Sequence, residues 1–167
     1  METIPDIEQG PITVDALHEM MEAAINIPSV AMELPVQFIV LNDIETLSKV
    51  SDIITAHPFA KQALSAITVC GDLGKAQLKD KLMLDCEAAA QQILLTAHAN
   101  GIGAYISPIY PDNASVEGIT ELLDLPENIV AHSYVSLSYP AKVPDTREVP
   151  GNERVHYNSW VRKKSII

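Results

Sequence analysis

Residues 76–101, AQLKDKLMLDCEAAAQQILLTAHANG, contain no Pro and no Gly before the final Gly101, and they are rich in Ala, Leu and Gln. Those residues are strong helix formers, and the Asn100-Gly101 pair is a helix stop. After Cys86 the apolar residues fall on nearly every face of the implied helix. A surface helix carries one apolar stripe, whereas a helix that is apolar nearly all round is buried. The chain must therefore fold around a long central helix.

The rest of the sequence supplies what would surround it. With 167 residues and 47% apolar content, the chain suits one globular domain, residues 1–167, with a real core. Val14, Leu17, Met20, Met21, Ala24 and Ile25 recur at helical spacing, with Thr13 placed to cap and Asp15 in the first turn, which predicts an amphipathic helix over 13–26. VQFIVL (36–41) reads as a strand, and NDIETLSKVSDIIT as a helix capped by Asn42 or Asp43. HPFAKQAL suits one or two helical turns. AITVCGD (66–72) is a short apolar run ended by Gly71 and Asp72, the pattern of a buried strand. GAYIS (103–107) reads as a strand and PIYPDNAS as a loop, with Ser115 or Asn113 placed to cap the helix VEGITELLDL. NIVAHSYVSLSY (128–139) has the alternation of a strand. Strands and helices mixed in this way predict an α+β layer structure. The Pro-rich extension over 140–167 cannot bury much surface by itself, so it is expected to lie on its own domain or to wrap a partner subunit in an intertwined homodimer.

Charge and composition exclude several classes of function. A net charge of −11 and a pI near 4.7 would repel a phosphate backbone over most of the surface, which argues against nucleic acid as a partner. No apolar run approaches the roughly 20 residues of a spanning helix, so no membrane is expected. The N-terminus, METIPDIEQG, is acidic and lacks the features of a signal peptide, which points to a cytoplasmic protein. Two cysteines, Cys70 and Cys86, suit a reduced compartment and read as small buried hydrophobes.

Local motifs for phosphate, metal or covalent chemistry are incomplete. GDLGK (71–75) lacks the spacing and hydroxyl of a phosphate loop, and GIGA (101–104) follows a helix instead of opening one, so both read as caps and turns. His18 and Glu22 share a helix face without a third ligand, and His57, His98, His132 and His156 show no ligand spacing, so no metal is expected. Ser29 lacks the flanking glycines of a nucleophile elbow. Cys86 lies between Asp85 and Glu87, whose charges raise a thiol pKa, and those two carboxylates diverge on a helix and form no acid-base pair. The residues alone thus describe an acidic, soluble α+β domain with one unexplained loop, NIPSVAMELPVQFIV (26–40), which suits either a turn or a ligand site.

That loop carries a resemblance. PSVAMELPVQFIV is similar to the nitroreductase signature P-S-A-x-N-x-Q-P-W-x-F-I-V, keeping Pro28, Ser29, Pro35, Phe38, Ile39 and Val40 at the same offsets. DCEAAAQQILLTAHANGIGA, LLDLPENIV, YPAK and RVHYNSW also resemble segments of the small single-domain members. The resemblance implies a mixed sheet flanked by helices and a homodimer that exchanges its termini, with FMN bound at the interface. Hydride would pass from NAD(P)H through the flavin to a nitroaromatic or quinone-like acceptor in a ping-pong cycle. No side chain is expected to be catalytic, because the flavin carries the chemistry. The implied cofactor-binding residues are Pro28, Ser29, Ser107 through its backbone N–H near the flavin N5, and Arg154 on the phosphate side. The chain also departs from the pattern. The family's arginine-rich R-R-S-x-R segment falls on Met1, Glu2, Thr3, Ile4 and Pro5, its loop Asn and Trp on Met32 and Val36, and a Gly on Pro108. Arg162, Lys163 and Lys164 are an alternative source of phosphate charge. These departures leave open a second reading, a family member without FMN that acts as a small-ligand-binding or non-catalytic dimeric protein.

Overall fold

The computed structural model describes residues 11–29, 35–54, 60–76 and 78–139, together with His156 and Ser159. Its elements run α1 (Val14–Ile25), β1 (Val36–Leu41), α2 (Ile44–Ile53), a 3-10 turn at Ala60–Gln62, β2 (Ser65–Asp72), α3 (Lys79–Ala99), β3 (Gly103–Pro108), α4 (Asn113–Leu122) and β4 (Ile129–Ser138). The expected long helix is α3, but it is buried along one stripe and not all round: Leu84 and Leu95 are 61% and 55% exposed, because the sheet covers only one of its sides. The chain reverses after it at Gly101, whose φ of 70° is the left-handed conformation that favours glycine.

The helix starts follow local hydrogen-bond chemistry. Thr13 Oγ1 accepts from the Ala16 N–H at 3.3 Å, and Asp43 Oδ2 accepts from the Thr46 N–H at 2.8 Å. In each case a side-chain oxygen satisfies an amide that the first helical turn leaves unpaired. The start of α4 corrects the sequence reading: neither Ser115 nor Asn113 caps it, and Asp112 does. The helix begins at Asn113, so Ser115 lies in the first turn and its own N–H needs an acceptor. Asp112 Oδ2 takes that N–H at 2.9 Å and the Ser115 hydroxyl at 2.6 Å. A carboxylate also suits the positive end of the helix dipole better than a hydroxyl does.

The strands form one antiparallel sheet in the order β1-β2-β4-β3. Among the described residues every strand pair is antiparallel, so the parallel pairing of a mixed sheet is not seen among them; the 140–167 tail lies outside them apart from His156 and Ser159. All eight residues of β2 are buried. Both faces of the strand must therefore be covered, and two clusters cover them. On one face Ile67, Val69, Val135 and Leu137 pack with α1 and α3 through Met20, Leu82, Cys86, Ala90 and Ile93. On the other, Ala66, Cys70, Ala131 and Tyr134 pack with α2 and α4 through Leu47, Val50 and Ile119. Of the apolar stripe expected on α1, Leu17, Met20 and Ala24 are buried, whereas Val14 and Ile25 at its ends are exposed.

Close approach of α3 to β2 needs a missing side chain. A Cβ built on Gly71 would sit 2.7 Å from Leu82 Cδ2. Gly71→Ala therefore forces the helix away from the strand, and overpacking of this kind costs about 1–3 kcal/mol. The expected result is a lower urea midpoint with an unchanged slope; a midpoint equal to that of the wild type would show that Leu82 yields freely.

Candidate functional site

Ser29 lies where the chain leaves α1. Asn26 ends that helix, with its N–H on Glu22 O at 3.1 Å, and Ile27 is buried while Pro28 is exposed. The half-buried Ser29 then donates its hydroxyl to Asp85 Oδ2 at 2.6 Å, across 56 positions of sequence. Asp85 is only 1% exposed and lies on the stripe of α3 that also carries Leu82, Cys86 and Ala89. This bond ties the start of the 26–40 loop to the central helix.

Ser107 belongs to a different face. It pairs across β3 and β4 with Tyr134, which pairs in turn with Thr68 on β2. Cross-strand partners share a face, and Tyr134 lies in the cluster under α2 and α4. The hydroxyls of Thr68, Tyr134 and Ser107 thus form a buried row across the sheet, and none has a hydrogen-bond partner among the described residues. Burial pushes the Tyr134 phenol up to about 12, so it keeps its proton. The structure therefore does not bring the Ser29 and Ser107 side chains together, because the sheet separates them. Pro108 ends β3 with its side chain exposed, and β3 is an edge strand, where a proline costs no interior ladder bond. Val36 packs half-buried against the α1/α3 cluster. Arg154, Met32 and residues 1–5 lie outside the described residues.

Two features escaped the sequence reading. The first is the burial of Asp85, whose position three residues after Leu82 and four before Ala89 puts a carboxyl on the buried stripe of α3. The second is an aromatic cluster at the end of β3. A bulge between Val69 and Cys70 inserts His132 into β4, and its ring stacks on Tyr110 with centroids 6.4 Å apart and planes 17° apart. Lys79 Nζ stands 5.3 Å from the Tyr110 centroid, within cation-π range. Burial lowers the His132 pKa, against a smaller opposing pull from Glu87, so the imidazole is neutral at pH 7.

The remaining candidates behave as structure. Burial first, then Cys70, Asp85 and Glu87, push the Cys86 thiol up to about 12, and burial does the same to Cys70. Neither supplies a thiolate near neutral pH. His18 and Glu22 are both exposed on α1. In the GDLGK segment, Asp72 Oδ1 accepts from the Gly74 N–H at 2.9 Å and from Asn128 Nδ2 at 2.8 Å, which makes a turn. Beside it a shallow hollow of about 370 Å³ is lined by Phe38, Cys70, Lys75, Leu125 and Asn128 among others.

The arrangement can be compared with known proteins. The chain is 35% identical over 161 residues to a protein of Methanothermobacter thermautotrophicus named "Putative NADH dehydrogenase/NAD(P)H nitroreductase", covering 95% of this chain and 83% of that one. The chain belongs to the nitroreductase family. A crystal structure of a protein of the same name from Bacteroides thetaiotaomicron superposes with a TM-score of 0.83 at 29% identity, covering 95% of this chain and 92% of the other. An FMN-dependent nitroreductase from Clostridium difficile shares the fold, with a TM-score of 0.80 at 24% identity and 90% of each chain covered. No protein-family model matches the chain. The α+β architecture expected of a nitroreductase is thus the one observed.

Asp72 gives a pH-dependent prediction for this nitroreductase fold. The hydrogen bond from Asn128 leads the effects that hold its carboxyl below the ordinary value, with smaller help from the Gly74 N–H and Lys75. A carboxyl lowered in the folded state contributes stability that is complete above the unfolded value, about pH 4, and is lost as pH falls through the folded value. The urea-midpoint gap between wild type and Asp72→Ala should therefore be widest near pH 7 and narrow toward pH 3. A gap constant over that range would assign the effect to packing alone.

Proposed function

We propose that this nitroreductase-family protein is an FMN-dependent NAD(P)H oxidoreductase that reduces nitroaromatic or quinone-like acceptors in a ping-pong cycle. The observation that carries the reading is the Ser29–Asp85 bond: the serine of the signature loop is held at 2.6 Å by a carboxylate that is 1% exposed. A buried charge is expensive unless it is bonded, and its expense is understandable where a loop residue must be oriented for a ligand. Family membership and the fold shared with an FMN-dependent nitroreductase support the same reading.

The described residues fit the ring side of a flavin. Ser29 would accept a hydrogen bond there, Pro28 would stiffen the chain beside it through its fixed φ, and Ser107 would offer its main-chain N–H. Val36 and Phe38, packed against the α1/α3 cluster, would help exclude water. Bound FMN would supply the hydride chemistry between NAD(P)H and the acceptor. Arg154 would neutralise its phosphate, which the net charge of −11 otherwise repels. Two copies would complete the site, with residues 140–167 of each wrapping the other.

Titration of the purified protein with FMN should quench flavin fluorescence, and the complex should oxidise NADH or NADPH when a quinone or nitroaromatic acceptor is present. Protein that does neither overturns the proposal in favour of a family member that has dispensed with the flavin. Arg154→Ala should weaken FMN about tenfold or more, the worth of one charge-assisted bond. Pro108→Gly restores the N–H that proline lacks and should tighten binding by roughly two- to tenfold; equal affinity would show that no flavin atom reaches that position.

A further inference from the structure

The stripe of α3 that faces the core is apolar except at one position. Leu82, Cys86, Ala89, Ala90 and Ile93 are fully buried, and Asp85 among them is 1% exposed. Packing alone would be served there by Ala or Leu, since burying a carboxylate costs several kcal/mol before its bonds are counted. Asp85 accepts the hydroxyl proton of Ser29 at 2.6 Å. A serine hydroxyl carries one proton, so this bond decides the polarity of the side chain: toward any other group, the Ser29 hydroxyl can act only as an acceptor.

We infer that Asp85 is a positioning residue, which anchors the chain after α1 to the central helix and presents Ser29 to a ligand as an obligate acceptor. The inference deepens the FMN reading and rests on it for the ligand's identity. The group that meets Ser29 must carry an N–H or an O–H, as the imide of a flavin ring and its ribityl hydroxyls do. A carboxylate suits this task where an amide does not. Asn could donate as well as accept, which would let the Ser29 hydroxyl reverse, whereas here Asp85 Oδ2 accepts from it. Its helix neighbours do not compete for the role: the Cys86 thiol is held protonated by burial, and Glu87 is exposed.

The test compares full-length wild type, Ser29→Ala, Asp85→Asn and the double variant. Amide hydrogen exchange without flavin should quicken in the peptide spanning residues 26–36 in both single variants, while α2 and α4 keep their protection. The double variant should be no faster than the worse single one, because both changes act on the same Ser29–Asp85 contact. In FMN titrations each variant should bind about tenfold more weakly, again without additivity, and the visible spectrum of the bound flavin should shift in Ser29→Ala. Unchanged exchange in Ser29→Ala and Asp85→Asn overturns the inference, as does exchange that rises equally across the whole domain, since Asp85 would then serve only stability. If Asp85→Asn fails to fold, Ser29→Ala carries the test, because it removes the same bond from a half-buried site. Wild type that binds no FMN overturns the functional reading instead, and the exchange data still decide the role of Asp85.

Discussion

The fold depends on enclosing β2, whose eight residues are all buried. A strand in the interior of a sheet is satisfied along its edges by its neighbours, and β1 and β4 supply those bonds. Its two faces still need apolar cover, and no single helix can lie on both. The α1/α3 and α2/α4 layers follow from that requirement. The approach of α3 to β2 is close where Gly71 meets Leu82, at a separation that leaves no room for a Cβ. Since α3 is held this close to β2, the residues along its stripe are fixed relative to the sheet, and Asp85 is fixed with them.

A rigid α3 gives the candidate site its order. The segment between α1 and β1 is a connection, and connections hold a shape only where something stiffer holds them. Ile27 anchors it through apolar burial and Ser29 through a charge-assisted bond, two interactions of different range and direction. The apolar contact sets depth, and the hydrogen bond sets orientation. On the far side of the sheet, the row of Thr68, Tyr134 and Ser107 is shielded from the same region. Strand alternation therefore keeps the Ser107 side chain off the face on which Ser29 meets Asp85.

Much of the fold was legible because it is local. The α3 helix, the β2 strand and the Thr13 and Asp43 caps depend on residues within one or two turns of each other, so periodicity and capping chemistry expose them. Where two caps competed, the reading of α4 settled on Ser115 or Asn113 and the structure on Asp112, one residue beyond Pro111. The family was legible too, since several quoted segments match its pattern at fixed offsets. The bulge that turns His132 toward Tyr110 was not legible, because it changes which neighbours a strand residue meets without leaving a mark on the alternation.

The sequence by itself determined the α+β class, the long helix α3, the net negative charge and, through the signature loop, Ser29 as the residue to watch. The first three follow from composition, spacing and local hydrogen bonding, and the last from the resemblance at fixed offsets. Only the tertiary structure decided what Ser29 touches and on which side of the sheet Ser107 lies. A bond between positions 29 and 85 spans 56 residues, and a strand residue's face depends on register with its neighbours. Both are products of how separate elements pack, and no local pattern encodes them.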